Sequence, residues 1–229
     1  SGITPLSSIV LPKGITTIGD DAFSYNTSLT SIKIPNTVTT IGKRAFRGCT
    51  NLTSIEIPDS VTYIGEHCFY DCNKLQKIKL SKKIQTINPY LLYGCSSLTE
   101  IKIPEGVKSI GYAAFSSCSK LTTITLPASL TSLSGAALNG LSRLTVADGN
   151  NSFKFENGIL LSKDGKTMYM ALLTLTEINV PNGVVSIVGD TLSGSSATKI
   201  ILPDTVSSNL SGTVFNGMNK WSTIELSST

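Results

Sequence analysis

The sequence predicts a solenoid: a right-handed superhelix of about ten 23-residue coils, mainly β, with a parallel sheet on the concave face, an irregular convex side and one inserted β-hairpin. Three observations carry this. The segments Ile32-Lys33-Ile34-Pro35, Ile55-Glu56-Ile57-Pro58, Ile78-Lys79-Leu80-Ser81, Ile101-Lys102-Ile103-Pro104 and Ile124-Thr125-Leu126-Pro127 recur every 23 residues, and Val10-Leu11-Pro12 precedes them by one more period. A repeat of that length cannot bury its own apolar face and must stack on its neighbours. Seven of the nine prolines (Pro12, Pro35, Pro58, Pro104, Pro127, Pro181 and Pro203) occupy one repeat position, where each ends a strand. Finally, only 15% of the 229 residues are charged while 40% are apolar, which argues against disorder and against a charge-laced coiled coil.

Full repeats start at Leu6, Leu29, Leu52, Leu75 and Leu98, less regular ones at Leu121, Leu141, Leu175 and Ala197, and a tenth, truncated at its first strand, at Trp221. The consensus L-x-x-I-x-I-P-x-x-V-x-x-I-G-x-x-A-F-x-x-C is seen in Leu52, Ile55, Ile57, Pro58, Val61, Ile64, Gly65, Cys68, Phe69 and Cys72. Its I-x-I step has period two and β-branched residues, so it reads as a short strand with both isoleucines on one side. V-x-x-I fits an irregular or short extended return. Gly19, Gly42, Gly65 and Gly111 are expected to supply a corner conformation that other residues avoid. Ala22-Phe23, Ala45-Phe46 and Ala114-Phe115 then give one small and one large core residue per coil. With neighbouring strands about 4.8 Å apart, ten of them form one curved sheet roughly 45 Å along the stack.

The pattern breaks at 141–174, which spans 34 residues. Here Gly158-Ile159-Leu160-Leu161-Ser162 and Thr167-Met168-Tyr169-Met170-Ala171-Leu172 flank Lys163-Asp164-Gly165-Lys166. Asp-Gly between apolar-rich runs predicts a hairpin with a type I′ turn. The hairpin is either a binding finger or an insertion that patches a change in curvature. Later repeats lose the cysteine and part of the Ala-Phe signal, as in Thr191-Leu192 and Val214-Phe215. No linker divides the chain, so 1–229 reads as one domain with regular repeats at 6–140, the irregular repeat at 141–174 and divergent repeats at 175–229. Neither end carries a polar cap, so the chain reads as a piece of a longer protein, with Ser1-Gly2 a cloning remnant.

This repeat resembles the 23-residue leucine-rich repeat of BspA-like proteins, and the resemblance runs from about Leu6 to Leu226, including a longer repeat with a strand–turn–strand insertion. The resemblance implies a leucine-rich-repeat solenoid from a bacterial cell-surface or secreted protein. It also implies adhesion to host or extracellular-matrix proteins, to other bacteria or to surfaces. The chain itself shows no signal-peptide layout and no run of 18 apolar residues, so no membrane insertion is expected within it.

Cys49, Cys72, Cys95 and Cys118 recur at the repeat spacing, with Asn26 at the same place in the first repeat, a substitution familiar from the Asn/Cys position of leucine-rich repeats. Equivalent side chains in stacked coils run parallel rather than converge, which disfavours disulfides and zinc and predicts a buried thiol ladder bonding to turn carbonyls. Cys68 fills the Ala slot. The one histidine, His67, is expected at an exposed variable position, with no nucleophile elbow around it. No Gly-rich phosphate loop is present, and Asp148-Gly149-Asn150-Asn151 lacks the acidic run of a calcium loop. The expectation is a non-enzymatic chain with no cofactor and no metal.

A formal charge of +4 does not point to nucleic acid, but its distribution is uneven. Residues 29–120 hold twelve Lys or Arg against six Asp or Glu; the remainder holds seven against nine. Strand alternation turns Lys33, Glu56, Lys77, Lys79, Glu100 and Lys102 away from the core, flanked by Ser31, Ser54, Thr123 and Thr125. These six charged residues are the candidate partner-binding strip on the exposed sheet face, and the expected ligand is a protein; a solvated surface that discourages edge pairing is the plainer alternative. A glycan-binding surface would use exposed aromatics, but Tyr63, Tyr70, Tyr93 and Tyr112 are read as scattered rather than as one row. A third possibility is a spacer presenting another domain.

Overall fold

Each coil is two short extended segments joined by a tight turn, because three-residue runs of alternating polarity bounded by proline leave little else to form. The computed structural model describes residues 8–206, 210, 213–215 and 223–227. The repeat starts at Leu6 and Trp221, and Ser1-Gly2, lie outside them. Coils are numbered here from their leading residue, coil 1 at Leu6 through coil 9 at Ala197. The fold is a parallel-sheet β-solenoid of about nine turns, and no described residue is helical.

The first strands are Ser8–Val10, Ser31–Lys33, Ser54–Glu56, Lys77–Lys79, Thr123–Leu126, Arg143–Val146, Glu177–Asn179, Lys199–Pro203 and Thr223–Ser227. Those that pair do so in parallel, coil on coil, as in Ile9 beside Ile32 and Ile55 beside Ile78. The return segments are also strands, two residues long, from Thr17–Ile18 to Ser132–Leu133, and they pair in parallel in two groups, 17–18 with 40–41 and 63–64, and 86–87 with 109–110 and 132–133. The single ten-stranded sheet expected from the sequence is not formed. First-strand pairing is divided into 8–10 with 31–33, 54–56 with 77–79, 123–126 with 143–146, and a three-stranded group at 177–179, 199–203 and 223–227, while 101–103 pairs with neither neighbour. Strands so short, ended by a residue without an N–H, offer few ladder bonds, and small divergence between coils separates them.

Continuity is carried by the turn instead. The N–H groups of Asp21, Phe23 and Tyr25 donate to the carbonyls of Lys43, Ala45 and Arg47 at 2.9, 2.8 and 2.6 Å. The same three bonds recur from Arg44, Phe46 and Gly48, from His67, Phe69 and Asp71, and from Tyr90, Leu92 and Gly94. Aiming three alternate N–H groups at the next coil requires two left-handed residues four apart. These are Asp21 and Tyr25, Arg44 and Gly48, His67 and Asp71, Tyr90 and Gly94, and onward to Asp190 and Gly194. The expected corner glycines act differently. Gly42, Gly65 and Gly111 do not have positive φ; a β-carbon on Gly65 would lie 2.6 Å from the Gly42 carbonyl carbon, and one on Gly111 2.6 Å from the Pro89 nitrogen. Close backbone approach between coils, not conformational freedom, demands glycine there.

Inside the stack the expected columns are present. Leu29, Leu52, Leu75, Leu98 and Leu121 are fully buried, and the rings of Phe23, Phe46 and Phe69 stack at 5.3 and 5.4 Å. All five cysteines are free and buried. The thiols of Cys49, Cys72, Cys95 and Cys118 lie 3.1 Å from the carbonyls of Phe23, Phe46, Phe69 and Leu92, one coil back.

The expected hairpin forms, Ile159–Ser162 against Thr167–Ala171 across the 163–166 loop, and a third strand, Phe153–Glu156, extends it into a packed three-stranded antiparallel meander. Its type I′ geometry falls at Asn157-Gly158, both with positive φ, whereas in the 163–166 loop only Gly165 is left-handed. Phe153, Leu160 and Met170 join the core of coils 1–6, while Ile159, Leu161 and Met168 join that of coils 8–9. The meander therefore spends alternate residues on two cores and bridges them.

Burial pushes the thiols up, Cys49 to about 11 and Cys118 to about 12 from 9.0, chiefly by desolvation of the thiolate. An acid whose folded pKa lies above its unfolded value contributes stability that is complete below the unfolded pKa and lost as pH rises through the folded one. Denaturant unfolding should therefore show stability falling from about pH 9 upward, and native protein should resist a thiol reagent that labels all five cysteines after denaturation; a flat profile to pH 11 would place the thiols in solvent. Phe69→Ala should cost about 3–5 kcal/mol. Tyr63→Ala, at a residue 44% exposed, should cost far less, and equal losses would refute the inside–outside assignment.

Candidate functional site

The first-strand face carries the charged strip in the expected orientation. Lys33, Glu56, Lys77, Lys79, Glu100 and Lys102 are exposed, while Ile32, Ile55 and Ile78 between them are buried. The strip is not flat. Where coils 2 and 3 fail to pair, a cleft of about 590 Å3 opens among Lys33, Ile34, Asn36, Glu56, Asp59 and Lys79. Where coils 4 and 5 fail to pair, a second of about 660 Å3 opens, with Lys77, Lys79, Glu100 and Lys102 on its rim and Ile78, Leu80, Ile101 and Pro104 in its floor. Glu56 and Lys79 form an ion pair across coils 3 and 4, and the Glu56 carboxylate holds the Lys79 ammonium above its usual pKa. Both side chains are about two-thirds exposed, so the pair adds little stability. No ion pair is formed by Lys33, Lys77 or Lys102 among the described residues, which leaves them available to a partner.

A second surface lies along the turn, where the sequence reading saw only scattered tyrosines. Tyr70 and Tyr93 stand 23 residues apart and stack at 4.8 Å with an 11° interplanar angle. The Arg47 guanidinium continues that row, 5.2 Å from the Tyr70 ring and 5.4 Å from Tyr25. Beside it, His67 and Tyr90, also 23 apart, stack at 4.6 Å and 16°, and Tyr112 meets Tyr90 edge-on at 5.4 Å. His67 is thus half-buried against rings rather than exposed. Desolvation lowers its pKa, the Glu66 carboxylate opposes this, and Arg47, Arg44 and Lys43 add to the lowering, so the imidazole is neutral at pH 7. Tyr112 donates from Oη to Asp190 Oδ2 at 2.8 Å, a bond across 78 residues of sequence. Applying the 23-residue period to the variable positions, as was done for the core, exposes both pairs; Tyr63 belongs to neither. The partnership with Asp190 has no such signal, because it crosses the insertion.

Asn150, in the stretch weighed as a calcium loop, is buried, and its amide serves the backbone, donating to the Pro127 and Leu130 carbonyls and accepting from the N–H groups of Ser152 and Phe153. Among the described residues no three His, Cys, Asp or Glu side chains gather where they could hold a metal ion, and no helix is long and apolar enough to cross a membrane.

A stack of about nine 23-residue β-coils with a leucine column and a thiol ladder defines a leucine-rich-repeat solenoid. The model of the BspA type leucine rich repeat region matches residues 16–145 and 163–229, and the chain belongs to this family. No curated protein sequence matches it. The solved structures it resembles include the pneumococcal vaccine antigen PcpA, at 24% identity and a TM-score of 0.62, over 96% of this chain and 50% of that one. A leucine-rich repeat protein from Eubacterium ventriosum is similar at 20% identity and a TM-score of 0.57, over 96% and 60%. A leucine rich cell surface protein from Faecalibacterium prausnitzii is similar at 20% and 0.55, over 99% and 89%. The chain thus spans only about half the length of PcpA and three-fifths of the Eubacterium protein. At these identities the likeness is one of fold.

The Tyr112 phenol is pushed up to about 12, first by its hydrogen bond to Asp190 and then by desolvation. Alkaline spectrophotometric titration should therefore show Tyr112 ionising late, and Asp190→Asn should bring that step down toward 10; an unchanged titration would remove the bond.

Proposed function

We propose that the chain is a non-enzymatic adhesion module of a bacterial cell-surface or secreted protein and that it engages a protein partner, a host or extracellular-matrix protein, through the first-strand face. The observation that carries this reading is the strip itself: Lys33, Lys77 and Lys102 stand exposed, without an ion pair among the described residues, around two clefts, the larger of which has an apolar floor. Repeat solenoids commonly recognise partners over such extended surfaces. The surface location is supported by family membership and by the description of the Faecalibacterium relative as a cell surface protein. The local lysine excess selects an acidic partner patch, because complementary potentials steer encounter and reject like-charged competitors.

The test is biosensor binding to a panel of immobilised extracellular-matrix proteins at two salt concentrations. Association should slow at high salt, since exposed charges are screened beyond about 8 Å at physiological ionic strength. Lys77→Glu with Lys79→Glu should weaken binding while leaving the melting temperature nearly unchanged. Affinity that survives those reversals but is lost on deleting residues 163–166 would move the site to the inserted meander.

A further inference from the structure

The regular turn ladder stops at coil 6, because coil 7 spends its length on the meander and supplies no turn of its own. Coil 8 closes directly against coil 6 there: a β-carbon on Gly135 would fall on the Gly189 carbonyl oxygen. Beside that contact the backbone bonds give way to side-chain ones, Asn139 Nδ2 donating to the Asp190 carbonyl at 2.9 Å and Tyr112 to its carboxylate. The turns of coils 3–6 and that of coil 8 thereby enclose a cleft of about 470 Å3, within the range of small-molecule sites.

We propose that this cleft binds an uncharged pyranose ring of a saccharide. One wall is aromatic, formed by Tyr70, Tyr90, Tyr93 and Tyr112. The Arg47–Tyr70–Tyr93 row ends at Ser116, a small residue at the next repeat position, and no ring stacks on the far side of Tyr93 among the described residues. An amphipathic sugar presents axial C–H groups to such a ring face. The rings are held in advance by the period-23 stacking and by neutral His67, which lowers the ordering cost of binding. Beside the rings the lining carries polar groups: Asp190, Asn139, Ser117 and Ser193. Tyr112 occupies only Oδ2 of Asp190, leaving Oδ1 to accept from a sugar hydroxyl, while the Asn139 amide oxygen and the two serine hydroxyls offer further acceptors and donors. A carboxylate in the lining disfavours anionic sugars and nucleotides, and a cleft of this volume admits a ring or two rather than a protein epitope. The site lies on the turn edge, apart from the lysine strip, and stands or falls independently of it.

The experiment is saturation-transfer NMR and calorimetry of the whole chain with methyl glycosides and trisaccharides of glucose, galactose, mannose and N-acetylglucosamine. At least one should bind with a Kd of about 1 mM or tighter. Tyr93→Ala and Asp190→Asn should each weaken it about tenfold, equivalent to about 1.4 kcal/mol. Tyr93→Phe should retain affinity, because the ring face remains, and Lys77→Glu with Lys79→Glu should have no effect. Circular dichroism and melting curves establish that each variant is folded. Absence of binding to every sugar at about 10 mM, weaker than a millimolar site allows, would overturn the proposal. So would a Kd unchanged in both Tyr93→Ala and Asp190→Asn. Capture of a matrix glycoprotein that survives enzymatic deglycosylation yet is lost in Tyr93→Ala would reassign the cleft to protein recognition.

Discussion

Backbone hydrogen bonds made at the turn, three from each of coils 1–4 and two from coil 5, hold the regular stack in register. They require a left-handed residue at each of two turn positions, a pair found in coils 1–6 and again in coil 8, and most of these are not glycine: Asp21, Tyr25, Arg44, His67, Asp71 and Tyr90 all accept that conformation. For an L-residue this costs on the order of 1 kcal/mol, a cost the adjacent ladder offsets by satisfying N–H groups that would otherwise face a neighbouring coil unpaired. At Gly48 and Gly94 a side chain in the adjoining coil, Tyr25 and Asp71 respectively, also occupies the space a β-carbon would need; Gly140 and Gly194 face no such neighbour. Fixing the turn fixes the 23-residue offset, and the phenylalanine and thiol columns follow from it. The cysteines illustrate the dependence: each thiol reaches the carbonyl of the large turn residue one coil back, a geometry available only while the register holds.

The parts of the fold legible in the sequence are those that repeat with the core. Leu52, Ile55, Ile57, Val61, Ile64, Phe69 and Cys72 are buried because a column must be apolar in every coil, and such a constraint prints itself at a fixed spacing. Pairing of the first strands was less legible, because whether three residues ending at proline meet their neighbours depends on small differences in coil geometry that leave no mark on residue type. The corner glycines were legible as glycines but not in their reason, since φ and steric exclusion by another coil select the same residue. The type I′ turn was assigned to Asp164-Gly165 when Asn157-Gly158 carries it; both dipeptides suit the turn, and only the two-residue connection between 153–156 and 159–162 selects one.

The six charged strip residues are exposed as expected: Lys33, Glu56, Lys77 and Lys79 because strand alternation depends only on the position of the buried isoleucines, and Glu100 and Lys102 in the same repeat positions although no strand forms there. The clefts around them were not foreseeable, since they arise from pairing that fails. The tyrosine surface was missed although half of its signal was present: Tyr70 with Tyr93 and His67 with Tyr90 share the period. The other half, Asp190 and Ser193 from coil 8, reaches the rings only because coil 7 lacks a turn, a consequence of topology rather than of local sequence.

A regular solenoid has little concavity, because identical coils in identical register leave no gap between them. The clefts of about 590 and 660 Å3 coincide with missing first-strand pairs, and that of about 470 Å3 coincides with the turn that the insertion removes. Departures from the repeat thus create the places where a ligand can be enclosed, while the uninterrupted turn ladder through coils 1–6 keeps those departures from unravelling the stack. The same reasoning accounts for the meander's alternation. By giving Leu160 and Met170 to one core and Ile159, Leu161 and Met168 to the other, it seals both ends of the interruption with apolar contact. The divergent coils remain joined to the regular ones, and the side chains of coil 8 come within bonding distance of rings 78 residues earlier.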